Sequence, residues 1–192
     1  MNTRTLLRKA MRLRRNSLSE CEQQLAAKAL ANRLSQHTCI QQAKHIALYL
    51  TNDGELSTSA FINWCWQHHK EVYLPVVHPF SHGNLLFLHY QKDTHLIRNT
   101  YGILEPKLDV TKVCPLAQLD VICTPLVAFD SLGSRLGMGG GFYDRSLVNW
   151  QKNNVYPIGL AHDCQHVDSV PVEGWDIPLP EIMTPTKQYR FT

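Results

Sequence analysis

Apolar and polar positions along this chain repeat with a helical period near its start and with strand-like runs further on. Over residues 3–15, a spacing of 100° per residue puts Arg4, Arg8, Arg12 and Arg15 on one stripe, with Leu6, Leu7, Ala10 and Leu13 opposite. That pattern predicts a helix. Ser19 followed three residues later by Glu22 is a reciprocal cap, and it opens a second helix over 20–35. Short apolar runs then predict strands over 45–50, 72–77, 85–89, 120–126 and 156–161. Helices are predicted over 58–69, where Phe61, Ile62, Cys65 and Trp66 are apolar, and over 142–150. The sequence Asn52-Asp53-Gly54 marks a turn. Prolines after residue 170 predict an extended tail lying over the body.

Strands alternating with helices predict an α/β fold: three layers, Rossmann-like, with a mostly parallel sheet and helices on both faces. No repeat, low-complexity tract or linker breaks the pattern. The 192 residues are therefore expected to form a single domain, 1–192, large enough to bury a core.

Composition narrows the class without naming a chemistry. Hydrophobic residues make up 44% and charged residues 18%, as in ordinary soluble proteins. The longest apolar stretch, Val121 to Phe129, contains Thr124 and Pro125 and is far short of the roughly 18 apolar residues of a membrane span. The six cysteines, at 21, 39, 65, 114, 123 and 164, form no C-x-x-C pair, and the first residues lack the apolar run of a secretory signal, so none is expected. Free thiols in a reducing cytoplasm are expected.

Charge is more informative by location than by sum. The net charge is +3, yet residues 1–15 hold six basic side chains and no acid; without them 13 basic residues face 16 acidic ones. A local cation cluster argues against a broad nucleic-acid face and for a contact with one anion. Arginine without acid at an N-terminus also matches an organelle-targeting peptide. A role for those arginines at an anion argues against that alternative.

The anion contact has a second part. Residues 124–145 begin where a buried strand ends and finish where a helix begins, the place where open α/β sheets bind ligands. Gly137, Gly139, Gly140 and Gly141 free the backbone to converge its N–H groups on an anion. Arg135 and Arg145 flank them as phosphate donors, and Asp144 suits a divalent metal held against a phosphate. The loop is neither a Walker loop, because no Gly-Lys-Ser/Thr occurs, nor a dinucleotide fingerprint, because Phe142 stands where the third glycine belongs. His162 and His166 have a metal-compatible spacing but lack a metalloenzyme motif.

In these residues the chain resembles the 5-formyltetrahydrofolate cyclo-ligase, or methenyltetrahydrofolate synthetase, family. The likeness rests on residues 125–130 and 135–145. It extends to the basic N-terminal helix, residues 48–55, 73–75, 105–107 and 171–176. The resemblance implies an ATP- and Mg²⁺-dependent conversion of 5-formyltetrahydrofolate to 5,10-methenyltetrahydrofolate, with release of ADP and phosphate through a phosphorylated formyl oxygen. It implies ATP contacts at Arg4, Arg8 and Arg135, through Leu136, Gly137, Met138, Gly139, Gly140, Gly141, Phe142 and Tyr143, and at Arg145. Folate contacts are implied at Leu50, Glu55, Met138 and Phe142, and metal ligands at Asp144 and Asp176. No side-chain nucleophile is expected. A cytoplasmic monomer that binds neither nucleic acid nor membrane is expected. The sequence departs from some relatives at Phe142, often Tyr, at Met138, sometimes basic, and at Arg4, often Lys. The rival readings are another ATP or sugar-phosphate enzyme on the same scaffold, and an N-terminal helix that binds RNA or an acidic partner.

Overall fold

The computed structural model describes residues 2–191. An eight-stranded sheet runs through it. In chain order its strands are β1 (His45–Ala47), β2 (Glu71–Val77), β3 (Leu85–Tyr90), β6 (Val113–Cys114), β7 (Val121–Pro125), β10 (Tyr156–Leu160), β11 (Glu181–Met183) and β12 (Gln188–Arg190). Their spatial order is β12-β11-β10-β7-β1-β2-β3-β6. The five strands from β11 to β2 are parallel, in keeping with the mostly parallel sheet expected. Antiparallel strands flank them: β3 and β6 on one side and β12 on the other. Two short antiparallel pairs stand apart: β4 (Leu96–Arg98) with β5 (Leu104–Pro106), and β8 (Ala128–Phe129) with β9 (Arg135–Leu136).

Helices α2 (Glu20–Gln36), α3 (Thr38–Gln42) and α4 (Ser59–Gln67) cover one face, where Leu30, Leu34, Ile40 and Phe61 pack on Ile46, Val72 and Ile158. The cap predicted for α2 is present in both directions, between Ser19 and Glu22. On the other face, α5 (Phe142–Leu147) and irregular segments pack Leu147, Val155 and Leu179 against Ile122 and Ile182. The result is the three-layer α/β architecture expected, with the second helical layer much thinner than the first.

Several boundaries differ from prediction for local reasons. Helix α4 stops at Gln67 because His69 turns left-handed, at φ 55°. Helix α5 has six residues rather than the nine predicted, and the chain from Val148 onwards goes into turns. The proline-rich tail does lie extended, but its end enters the sheet as β11 and β12. Helix α1 (Thr3–Asn16) forms where predicted and is oriented by its arginines. Leu6 is 50% and Leu13 64% exposed, whereas Arg15 is fully buried. Only Met11 and Leu7 of this helix join a small apolar cluster, with Val127, Ala128, Leu136 and Val170.

Candidate active site

At the carboxyl ends of β1, β2 and β7 the chain encloses a cavity of about 830 Å³. Helix α1 forms one wall and the β4–β5 arm another. The glycine loop and the 173–176 segment of the tail complete it. Each boundary segment is far from the others in sequence, so what holds them together defines the site.

Arginine side chains of α1 make most of those ties. Arg4 donates to both oxygens of Asp176, at 2.5 and 2.9 Å, and to the Pro171 carbonyl at 3.0 Å. One turn on, Arg8 donates from Nε to the Gly137 carbonyl at 2.8 Å. Two turns further, Arg15 donates to the Asp53 carbonyl at 2.7 Å and to the Asp53 carboxylate at 2.9 Å, with Arg12 on the same carboxylate at 2.6 Å. One stripe thus ties the tail, the glycine loop and the 52–55 turn. The turn presents its groups through left-handed residues: Asp53 has φ 51° and Gly54 has φ 71°.

The glycine loop is built as the sequence suggested. Gly139 (φ 106°) and Gly141 (φ 67°) use backbone space that side-chain-bearing residues rarely adopt, and residues 137–141 line the cavity. The six-residue α5 is too short to add much of a dipole, because the macrodipole grows from aligned peptides over several turns. Any anion affinity rests on loop amides and arginines instead.

Behind the loop lies the densest charge. Arg135 is nearly buried and donates from Nη2 to Asp144 at 2.7 Å, and its Nε–H has no protein partner. Burial pulls the Arg135 guanidinium below its ordinary value, and the Asp144 and Asp176 carboxylates partly offset that. Burial alone would raise the Asp176 carboxyl, but the bonds from Arg4 and the Glu173 amide outweigh it and hold it below the usual range. Bonding to Asp176 raises the Arg4 guanidinium. The two carboxylates expected to hold metal therefore both line the cavity, each against an arginine.

Two carboxylates, with no third metal-ligating group converging on them among the described residues, fit one metal better than the others. Mg²⁺ takes one or two carboxylates and completes its shell with water and substrate phosphates. A structural zinc needs four protein ligands. Asp144 keeps Oδ2 free of hydrogen bonds, which leaves it an oxygen to offer.

The other end of the cavity is apolar, walled by Leu50, Leu74, Pro75, Ile103 and Leu104, with Tyr101 edge-on to Phe142 at its rim. Glu55 enters this end from the turn. Desolvation raises its carboxyl from 4.5 to about 7, against the lowering pull of Arg15. Met138 and Trp175, 49% and 68% exposed, stand at the mouth.

Of the residues expected at the site, Arg4, Arg8, Leu50, Glu55, Arg135, Gly137, Met138, Gly139, Gly140, Gly141, Phe142, Tyr143, Asp144 and Asp176 all line this cavity. Two do not. Leu136 is fully buried in the Met11 cluster, where β9 pairs with β8 and turns the side chain inward. Arg145 points away and braces the loop, donating to the Gly83 carbonyl at 2.7 Å and to that of Gly140. Arg15, Asp53 and Glu105 were absent from the expectation. The basic stripe was a signal for Arg15, and the family likeness over residues 105–107 was one for Glu105. His162 is buried, and His166 bonds Ser131, both outside the cavity.

The geometry can be set beside known proteins. Residues 1–185 match the model of the 5-formyltetrahydrofolate cyclo-ligase family. A 5-formyltetrahydrofolate cyclo-ligase of Escherichia coli (strain K12) is 51% identical over 181 residues, covering 94% of this chain and 100% of its own. That of Haemophilus influenzae is 49% identical, covering 95% of this chain and 99% of its own. Among solved structures, the 5,10-methenyltetrahydrofolate synthetase of Aquifex aeolicus superposes with a TM-score of 0.84 at 28% identity, over 98% of this chain and 93% of that one.

Proposed function

Because this chain belongs to the 5-formyltetrahydrofolate cyclo-ligase family, we propose that it closes the folate ring with ATP and Mg²⁺ at the cavity described above. The formyl oxygen attacks the terminal phosphorus as the bond to ADP breaks. The second folate nitrogen then attacks the formyl carbon, loses its proton, and phosphate leaves with the former formyl oxygen. An amide-like oxygen is a poor leaving group until phosphorylated, so the chemistry asks mainly for alignment and charge stabilisation.

The chain's residues divide that work. Amides of residues 137–141 and the Arg8 and Arg135 guanidinium groups grip the phosphates. Bound Mg²⁺ would be held by Asp144 and Asp176 and would supply positive charge against the phosphate oxygens. The arginine partners of both aspartates then have phosphate oxygens to take. Leu50, Phe142 and the apolar wall bury the folate ring, and Glu55 accepts from its N–H groups. Burial of both substrates excludes water that would otherwise take the activated phosphoryl group.

One observation carries this reading best: a nearly buried guanidinium, Arg135, whose Nη1 has no protein partner and is not sealed away, beside the glycine loop and a carboxylate. A cation so placed, with a donor left over, calls for an anion. The test is direct. Purified protein with 5-formyltetrahydrofolate, ATP and Mg²⁺ develops the near-UV band of the conjugated methenyl product; ATP binding without that band would refute the folate assignment. The protein acts in the cytoplasm as a monomer on this reading. No helix among the described residues is long and apolar enough to cross a membrane.

A further inference from the structure

The β4–β5 arm carries an acid into the cavity that the reading above leaves unused. Glu105, in β5, is only 8% exposed. Both of its hydrogen bonds reach one oxygen: Oε2 accepts from the Val77 amide at 3.1 Å and from Asn99 Nδ2 at 2.9 Å. Oε1 has no protein partner, yet it is not sealed away, and the residue lines the cavity. Among the described residues no lysine, arginine or histidine pairs with this carboxylate.

Such an acid is costly to bury without a use for its second oxygen. Its placement is also fixed. Asn99, which donates to Oε2, accepts at Oδ1 from the Tyr101 and Ile103 amides, so the turn of the arm is built onto Glu105. The free oxygen therefore faces the cavity from a rigid support.

Its chemistry restricts what it can meet there. A phosphate is repelled, and the cations that suit phosphate stand on the α1 side while Glu105 stands at the end of β2. Resting on the folate reading, we propose that Glu105 is a specificity-determining residue whose Oε1 accepts from the aminopyrimidinone edge of the pterin ring. That edge presents a ring N–H and an exocyclic amine as adjacent donors, a pattern that a carboxylate oxygen satisfies. The contact anchors the far edge of the ring, leaving the formyl group directed towards the phosphate end and Glu55 free for N–H groups nearer the reacting atoms.

Glu105→Gln tests this with the arm intact. Val77 and Asn99 both donate to Oε2, so the amide oxygen must take that position and the NH₂ group must face the cavity. A donor then meets donors. The measurements are kcat/KM for 5-formyltetrahydrofolate and for its analogue lacking the 2-amino group, together with KM for ATP and the melting temperature. The wild type is expected to use the analogue at least about tenfold less well, as sites built to bond an N–H reject ligands lacking it. Glu105→Gln is expected to lose about tenfold or more on the natural substrate, to treat both substrates alike, and to leave KM for ATP within about twofold. Equal losses on both substrates, or a wild type that does not discriminate, would overturn the assignment. If the variant does not fold, a wild type that uses both substrates equally still overturns the assignment, and Asn99→Ala, which removes one donor to Oε2 and leaves Oε1 facing the cavity, is expected to keep the discrimination. A wild type inactive on 5-formyltetrahydrofolate itself would instead sink the underlying reading, a distinct result.

Discussion

Glu55 shows how a single side chain can set function against stability. Its carboxyl is raised from 4.5 to about 7 by desolvation. Between those values the folded chain holds a proton that the unfolded chain has released, so folded stability falls as pH rises through this window and levels off above it. Glu55→Gln removes the ionisable group. Thermal melting should therefore show the variant more stable than wild type at pH 8 and nearly equal to it at pH 5, while its KM for the folate rises. Arg135 makes the opposite case, a charge whose surroundings specify geometry. Arg135→Lys keeps the charge but gives up the planar fork that reaches Asp144 from Nη2 while leaving Nη1 free. KM for ATP is expected to rise about tenfold, worth about 1.4 kcal/mol, with KM for the folate little changed in steady-state assays.

At the scale of elements, the first helix is the least ordinary part of the molecule. Amphipathic surface helices normally bury their apolar stripe; α1 leaves Leu6 and Leu13 in solvent and turns its arginines inward. Hydrogen bonds to charged partners do the docking, with Met11 as the main apolar anchor. Arg15 is the strongest of these ties, fully buried and shared between a backbone carbonyl and the Asp53 carboxylate. Arg15→Met should cost about 1–2 kcal/mol, because it takes the donor from the Asp53 and Leu126 carbonyls while Arg12 still holds the Asp53 carboxylate, and urea unfolding measures it. Much of this was legible beforehand: the stripe, the cap of α2, the glycine loop and its strand-to-helix placement are all local patterns. The inward direction of the arginines was not, since the carbonyls and carboxylates they bond lie up to 172 residues away. For the same reason the likeness over residues 105–107 could not show the burial of Glu105, which depends on an amide in β2 and on the turn of its own arm.

The whole molecule is closed by a polar knot at the far edge of its sheet. Glu181 in β11 is fully buried and accepts from His37 at the end of α2, from the Tyr156 hydroxyl in β10 and from Gln188 in β12. Burial alone would raise its carboxyl, but the bonds from His37, Gln188 and Tyr156 together hold it below the ordinary value. Stability from this group is present above the unfolded value of 4.5 and is lost as pH falls through the lower folded one. Glu181→Gln should lower the melting temperature at pH 7 and flatten the acid side of its pH profile. The proline-rich tail read as merely extended because β11 is three residues long and carries an acid in the core, too short a run for any period to mark.

The span of the α1 ties also bears on the order of synthesis. The helix is made ahead of its partners: the carbonyl that receives Arg8 is made 129 residues after it and the carboxylate that receives Arg4 is made 172 after it. The central strands can assemble while this segment still waits for its anchors. A nascent chain stopped short of residue 176 would thus be largely built and yet unfinished at the one place where it must work.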